Sequence, residues 1–230
     1  MSTSPQLSGE LEKFLLSVDS PTIANAIELL NIRDRTVGFL AGDIQCQFPQ
    51  LGAMVGTALT VEMSDKPGPV ADKAGIWEMW DRLEQCAGPS ILVIKDVSGA
   101  PQRVAYAGEI MSRLATRLGS VGIVTDGALR DVAEAEAMGF HYFMKYPVVS
   151  HANFYVTRVG EPVDMGGEIV STGDLLHGDR NGVVVIPWEC LSDLPKAVEK
   201  IRTSERADMD LIASPDFTLE KYKIHRNYGK

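Results

Sequence analysis

The sequence predicts an α/β fold, a parallel sheet flanked by helices, with further helical segments at both ends of the chain. Two features carry that expectation. Around residues 91–95 and 121–125 the chain runs through short, almost unbroken apolar stretches, as strands buried on both faces do. Between and after them come stretches with helical spacing. Strand–helix–strand alternation at this distance implies βαβ units with parallel pairing and right-handed crossovers. The composition agrees. Of 230 residues, 45% are hydrophobic and 23% charged, a globular balance in a chain long enough to bury a core without disulfides or a structural metal. We read it as one domain over residues 1–230.

Each element follows from local pattern. In residues 8–31, Leu11, Leu15 and Leu16, then Ile23, Ala26, Ile27 and Leu30 recur at helical steps. Ser20-Pro21 divides them into two helices, with Ser20 expected as N-cap and Pro21 at the first helical position. Residues 33–50, mixed in charge and glycine, predict a loop, and residues 54–61 a strand. Lys66-Pro67-Gly68-Pro69 breaks the chain before a helix over 70–85 that carries Trp77 and Trp80 on one side. After the strand at 90–95, the stripe Ala107, Met111, Leu114, Ala115 and Leu118 predicts a helix over 102–118. The strand at 121–125 leads to a short helix over 130–138 and a strand at 140–144. Asp179-Arg180-Asn181-Gly182 marks a tight turn before a strand at 183–186. A charged amphipathic helix over 189–212 closes the reading.

Charge and cysteine content narrow the function classes. The net charge is −9, from 31 acidic and 22 basic residues. Phosphate binding needs clustered Lys and Arg, so no direct nucleic-acid or anionic-membrane partner is expected. No apolar run approaches the roughly 20 residues of a membrane span. Residues 1–6 lack the basic-then-apolar layout of a leader. Cys46, Cys86 and Cys190 are odd in number and widely spaced, without a CxxC pair, which supports neither a disulfide framework nor a zinc ribbon. Together these predict a cytoplasmic location. His141, His151, His177 and His225 show no zinc spacing, and His151, beside Ser150 and Asn153, has two readings: a residue lining a pocket or, the favoured one, a loop histidine without a role. The glycines form neither a P-loop nor a dinucleotide fingerprint.

In parallel α/β units, ligands gather beyond the carboxyl ends of the strands. After the strand at 91–95 come Asp96, Ser98-Gly99 and then Gly108, Glu109, Ile110 and Met111; after 121–125 come Asp126-Gly127, Arg130 and Asp131. Such carboxylates suit a hard divalent cation, and Arg130 suits an anionic substrate. Each residue also has a structural reading. Asp131 with Glu134 fits a capping box, and Glu109 fits a helix dipole or a solvated face. Arg130 fits a surface ion pair worth about 0–1 kcal/mol, and Asp126-Gly127 fits a turn. Clustered after adjacent strands, they point to function.

The spacing Gly-Glu-x20-Arg-Asp-x2-Glu across Gly108 to Glu134 resembles the signature of the RraA-like family, which includes class II pyruvate aldolases acting on 4-hydroxy-4-methyl-2-oxoglutarate and 4-carboxy-4-hydroxy-2-oxoadipate. The text from Gly122 to Asp131, the strand from Gly56 to Val61 and the stretch Asp179 to Pro187 are similar as well, so the likeness covers most of residues 50–205. The resemblance implies a layered α-β-β-α sandwich, related to swivelling domains, with helical N- and C-terminal segments. It implies a trimer, or a hexamer built from trimers, with sites between subunits. By the same resemblance Asp131 is the ligand of a Mg2+ or Mn2+ ion, and Arg130 binds the pyruvyl group. Glu109 matches an acidic position that holds metal-bound water. The amides around Gly108, Glu109, Ile110 and Met111 receive the substrate carboxylate; Glu205 either matches an acidic residue delivered by a neighbouring chain or, the favoured reading, lies on a solvated helix face. Asp96 and Asp126 are outer supports.

The implied reaction is retro-aldol cleavage of a 4-hydroxy-2-oxo diacid to pyruvate, with oxaloacetate decarboxylation as a companion. Both leave a pyruvate enolate, whose charge a chelated dication and a fixed guanidinium stabilise. A water near Arg130 or the metal is the expected proton carrier. A lysine Schiff base at Lys95 or Lys145, each ending an apolar run, is the rival chemistry. The alternative outside enzymology is a non-catalytic RraA-type protein that binds and regulates an RNA-degrading enzyme. Methyl transfer finds no nucleotide loop to support it. Two departures from the family pattern bear on specificity: Asn25, where the family commonly has Asp, and an unusually aromatic segment at 141–155.

Overall fold

The computed structural model describes residues 7–70 and 72–227; residues 1–6, read above for a leader, lie outside the described residues. Helices α1 (Gly9–Leu16) and α2 (Ser20–Leu30) open the chain. Asp19, not Ser20, caps α2, because its carboxylate accepts the Thr22 N–H at 2.9 Å and the Thr22 hydroxyl at 2.8 Å. Ser20 is occupied elsewhere: its N–H donates to Asp179 and its hydroxyl meets the His177 ring. Pro21 therefore takes the second helical position. The expected loop at 33–50 contains an edge strand, β1 (Gln45–Cys46). Strand β2 (Met54–Asp65) runs past residue 61 to Asp65. Helix α3 (Ala74–Glu84) buries Trp80, Met79 and Leu83 but leaves Trp77 exposed, so the two tryptophans do not share a face.

Strand β3 (Ser90–Asp96) is followed by a departure from expectation. Helix α4 (Glu109–Arg117) begins only at Glu109, because residues 104–107 spend their backbone groups on sheet-like pairing: Ala105 N–H donates to Ser150 and Tyr106 N–H to Ala128. Then come β4 (Ser120–Thr125), β5 (Ala128–Leu129), α5 (Val132–Ala137), β6 (His141–Met144), β7 (Tyr146–Pro147), β8 (Phe154–Val159), β9 (Val163–Asp164) and β10 (Ile169–Val170). The hairpin β11 (Leu175–Asp179) and β12 (Gly182–Ile186) turns at Arg180-Asn181 as expected. Helices α6 (Leu194–Ala213) and α7 (Leu219–Arg226) end the fold. Neither β8 nor α7 is evident in the sequence. β8 is partly exposed on both faces, which blurs a two-residue period, and α7 is a charged segment tied down by Asp208 to His225 and Arg226.

The main sheet has the order β1-β6-β4-β3-β2-β11-β12, with β8 added beside β2. Strands β2, β3, β4 and β6 are parallel, aligning Leu59 with Leu92, Leu92 with Ile123 and Ile123 with Tyr142. Alternate residues supply two cores. Leu59, Val61, Leu92, Ile94, Ile123 and Tyr142 face the layer of α3, α4 and α5. On the opposite face lie Ala58, Ile91, Val93, Val124 and Phe143, under Met165, Val170 and Leu176. A third cluster joins α1, α2 and α6 to the β11–β12 hairpin. Burying each large aliphatic side chain contributes about 1.5–3 kcal/mol, so these layers hold the loops at the strand ends rigidly. Among the described residues, no helix is long and apolar enough to cross a membrane.

Candidate functional site

The site is assembled where the extended strip at 104–107 zips onto β5. Tyr106 N–H donates to Ala128 at 2.9 Å, and Arg130 N–H donates to Ala107 at 3.0 Å. This register brings Gly108, the N-cap of α4, against Arg130 and Asp131. A Cβ at Gly108 would lie 2.3 Å from Asp131 Oδ2 and 2.9 Å from Arg130 Cγ. Only glycine leaves room for that contact.

Asp131 sits at the N-cap of α5 in the left-handed conformation, φ 54° and ψ 48°, and makes no capping bond to its own helix. The capping box expected with Glu134 is therefore absent. Its Oδ2 instead accepts the Glu109 N–H at 2.8 Å, across to the start of α4, with Arg130 Nε 3.7 Å away. Aspartate tolerates this backbone better than most residues, yet a non-glycine αL position costs of order 1 kcal/mol and is found where surrounding structure holds it. Both Arg130 and Asp131 side chains stay about a third exposed, at 37% and 36%.

A cavity of about 310 Å3 opens at this point, lined by Gly108, Glu109, Ile110, Met111, Arg130 and Asp131 together with Lys73, His151 and Phe154. The first-turn amides of α4 belong to the groups that a helix leaves without internal acceptors, and with its dipole they favour an anion. Glu109 turns its carboxylate to Arg113, with Arg113 Nε 2.9 Å from Oε1. Beneath α4, Ser112 and the Tyr142 hydroxyl are 2.7 Å apart; burial pushes the Tyr142 phenol up to about 12, so it stays protonated.

Asp96 and Asp126 do not join this cavity. They form their own cluster at the ends of β3 and β4, where Lys95 Nζ lies 2.5 Å from Asp126 Oδ2 and Asp126 Oδ1 accepts the Asp96 N–H at 2.7 Å. Asp96 accepts from Ser98 and from the Tyr106 hydroxyl. Burial, reinforced by that bond to Asp96, pushes the Tyr106 phenol far up. These two aspartates brace the strip through Tyr106 and touch neither Arg130 nor Asp131. The Schiff-base reading also loses its candidates. Lys95 is paired with Asp126. Lys145 lies 2.7 Å from Asp43, whose hydrogen bond and charge outweigh the lowering effect of burial and raise the ammonium's pKa.

Glu205 lies elsewhere in the chain. With Asn25, whose side-chain amide approaches it at 3.5 Å, and with Arg35 and Arg226 it lines a larger cavity, about 490 Å3, between α2 and α6. Lys73 and Phe154 carry no signal in the sequence, whereas His151 lines a pocket, one of the two readings its neighbours allowed; Lys73, at the start of α3, meets the 151–154 segment only through the fold. No group of three or more His, Cys, Asp or Glu side chains gathers among the described residues. That excludes a zinc-type cage built by this chain's described residues, but it suits Mg2+ or Mn2+, which keep several waters and need one or two carboxylates. Asp131 fits: one carboxylate oxygen is fixed by an amide and the other accepts no bond from the described residues.

Comparisons with known proteins bear on the family and the fold. The Aldolase/RraA family model matches residues 21–185. A curated relative from Halalkalibacterium halodurans, named "Putative 4-hydroxy-4-methyl-2-oxoglutarate aldolase", is 31% identical over 170 residues, 74% of this chain and 76% of the relative. A crystal structure of a Pseudomonas syringae pv. tomato protein superposes with TM-score 0.74 at 21% identity, covering 96% of each chain. A second, Streptomyces coelicolor RraAS2, described as an unusual member of the RNase ES inhibitor RraA family, gives TM-score 0.67 at 23% identity over 89% of this chain and 97% of its own. At those identities the two structures establish the fold alone.

Proposed function

The chain belongs to the RraA-like (Aldolase/RraA) family, and from that membership we propose that it is a divalent-metal-dependent carbon–carbon lyase releasing pyruvate from a 4-hydroxy-2-oxo diacid, with oxaloacetate decarboxylation as a companion activity. One observation supports the reading above the rest: Asp131 holds a strained backbone at a helix N-cap yet turns its carboxylate away from that helix, toward the cavity shared with Arg130. One of its oxygens takes the first amide of α4, and the other accepts no bond from the described residues.

Asp131 would hold the ion, with Glu109 beside it over the bound water. The ion, when bound, supplies Lewis-acid stabilisation of enolate charge. Arg130 presents a planar, permanently charged fork to the keto and carboxylate oxygens of the pyruvyl unit. The first-turn amides of α4, around Ile110 and Met111, receive the carboxylate. Because these donors are fixed before substrate arrives, little reorganisation is needed as negative charge moves onto the C2 oxygen.

The decisive experiment measures pyruvate release from a panel of 2-oxo diacids, with Mg2+ and with chelator. Metal-dependent release supports the reading; release that survives the chelator, or a lysine adduct trapped by borohydride and pyruvate, overturns it. A trimer with sites between subunits belongs to the same proposal. Ile110, on the cavity wall, is 77% exposed in the isolated chain, as a residue covered by a neighbour would be, and sedimentation in solution tests it. The non-catalytic alternative, binding to an RNA-degrading enzyme, predicts no turnover of any member of the panel.

A further inference from the structure

Carbon–carbon cleavage of a 4-hydroxy-2-oxo acid requires that the C4 hydroxyl give up its proton, and the cavity contains few groups able to take it. Arg130 is permanently charged, and Lys73 is a half-buried ammonium that donates to the Phe154 carbonyl at 2.9 Å and lies over the Phe154 ring. Glu109 is paired with Arg113. Asp131 accepts the Glu109 N–H and stands beside Arg130. Among the side chains lining the cavity, His151 offers a ring nitrogen, Nε2, that is neither placed to hold the ion nor bonded to a described residue.

Its ring is held in one tautomer. His151 Nδ1 lies 2.7 Å from the Ala152 carbonyl oxygen; that oxygen only accepts, so Nδ1 carries a proton and Nε2 is the nitrogen left to exchange one with a ligand. The backbone that offers this carbonyl is strained: Ala152 has φ 45°, without the polar side chain that eases such a conformation for Asn or Asp. The loop is also docked onto the site. Val148 N–H donates to Leu129, the residue before Arg130, and Ser150 accepts the Ala105 N–H. The Ser150 hydroxyl accepts the Ala152 N–H at 3.1 Å, and the imidazole meets the Phe154 ring edge-on.

We propose that His151 is the base of the aldol cleavage, an inference that rests on the lyase reading above. Nε2 takes the C4 hydroxyl proton while the C4–O bond becomes a carbonyl. The C3–C4 bond breaks, and its electron pair passes through C3–C2 to the C2 oxygen. The protonated ring then returns its proton to C3 of the enolate, which becomes the pyruvate methyl group, so His151 is unchanged over the cycle. A positioned base of this kind contributes about 100- to 10,000-fold.

Oxaloacetate provides the internal control, because its decarboxylation produces the same enolate with no hydroxyl proton to remove. The test compares wild type, His151→Asn and His151→Ala on a 4-hydroxy-2-oxo diacid and on oxaloacetate, with and without added imidazole. The expected result is a fall of about 100-fold or more in the ratio of aldol cleavage to decarboxylation in both variants, with imidazole restoring cleavage in His151→Ala. Parallel loss of both activities, or no change in the ratio, overturns the assignment of the base while leaving the lyase reading intact. A wild-type protein that cleaves no hydroxy-oxo acid overturns that reading and the base with it.

Discussion

Two clusters of charge sit at neighbouring strand ends, and they are completed differently. In the Lys95–Asp96–Asp126–Tyr106 cluster the carboxylates have partners inside the protein: an ammonium, a backbone amide, a serine and a phenol. In the Arg130–Asp131 cluster the contact is loose, at 3.7 Å, a carboxylate oxygen is left open, and the backbone is strained. The residue types are nearly the same. A buried charge network that is satisfied internally rigidifies a fold, whereas a partly exposed pair left incomplete beside a cavity is a candidate for binding a ligand.

The comparison breaks most visibly in activity. Arg130→Ala, which removes a preorganised donor, and Asp131→Ala, which removes the carboxylate placed to hold the ion, should each reduce pyruvate release by about 1,000-fold, while size-exclusion chromatography shows an unchanged assembly. Unaltered release in either variant would remove the functional half of the contrast. Asp126→Ala should act on the other half. It strands the Lys95 ammonium and the Asp96 N–H, and should cost about 3 kcal/mol in urea unfolding, the low end for a broken buried pair because Lys95 is 26% exposed.

Gly108→Ala separates geometry from stability. The new methyl must push the Asp131 carboxylate off the Glu109 amide. Since a displacement near 1 Å at a reacting centre costs about 100-fold, kcat/KM should fall by that order with the melting temperature little changed.

Two buried histidines sharpen the structural half through pH. Burial lowers the pKa of His177, whose ring bridges Ser20 and the Leu15 carbonyl, and burial lowers that of His141 as well. Both are neutral in the fold, so the unfolded chain binds more protons. Stability should be complete above the ordinary value of 6.5 and fall as pH drops from there toward the depressed folded values. Denaturation midpoints measured between neutral and mildly acidic pH check the sign; a His177→Gln variant should flatten the slope. The smallest effect belongs to Arg113→Ala, which removes a mostly exposed pair with Glu109 and should change stability by under about 1 kcal/mol.

Much of this was legible from the chain alone, and the failures are instructive. The parallel strands β3, β4 and β6 announce themselves because burial on both faces demands unbroken apolar runs. The stripe from Ala107 to Leu118 misleads, since residues 104–107 have helical spacing but spend their amides on β5 and on the loop at Ser150. Asp131-x-x-Glu134 has the letters of a capping box, yet the left-handed backbone turns the carboxylate elsewhere. Arg130, Asp131 and the start of α4 were found through spacing. Lys73 and Phe154 were not, because no local period marks residues that meet only across the fold, and for His151 the sequence left a pocket and a bare loop both open.

The amino-acid sequence by itself determined the α/β class, the presence of the central strands and the Arg130–Asp131 pair, since these follow from apolar periodicity and from motif spacing along one stretch of chain. Which carboxylates are consumed by internal partners and which remain open, and which distant side chains close the cavity, was decided only by the tertiary structure. A hydrogen bond to Glu109, Lys95 or Ala152 depends on distances set by strand register and loop docking, and those are properties of the packed layers.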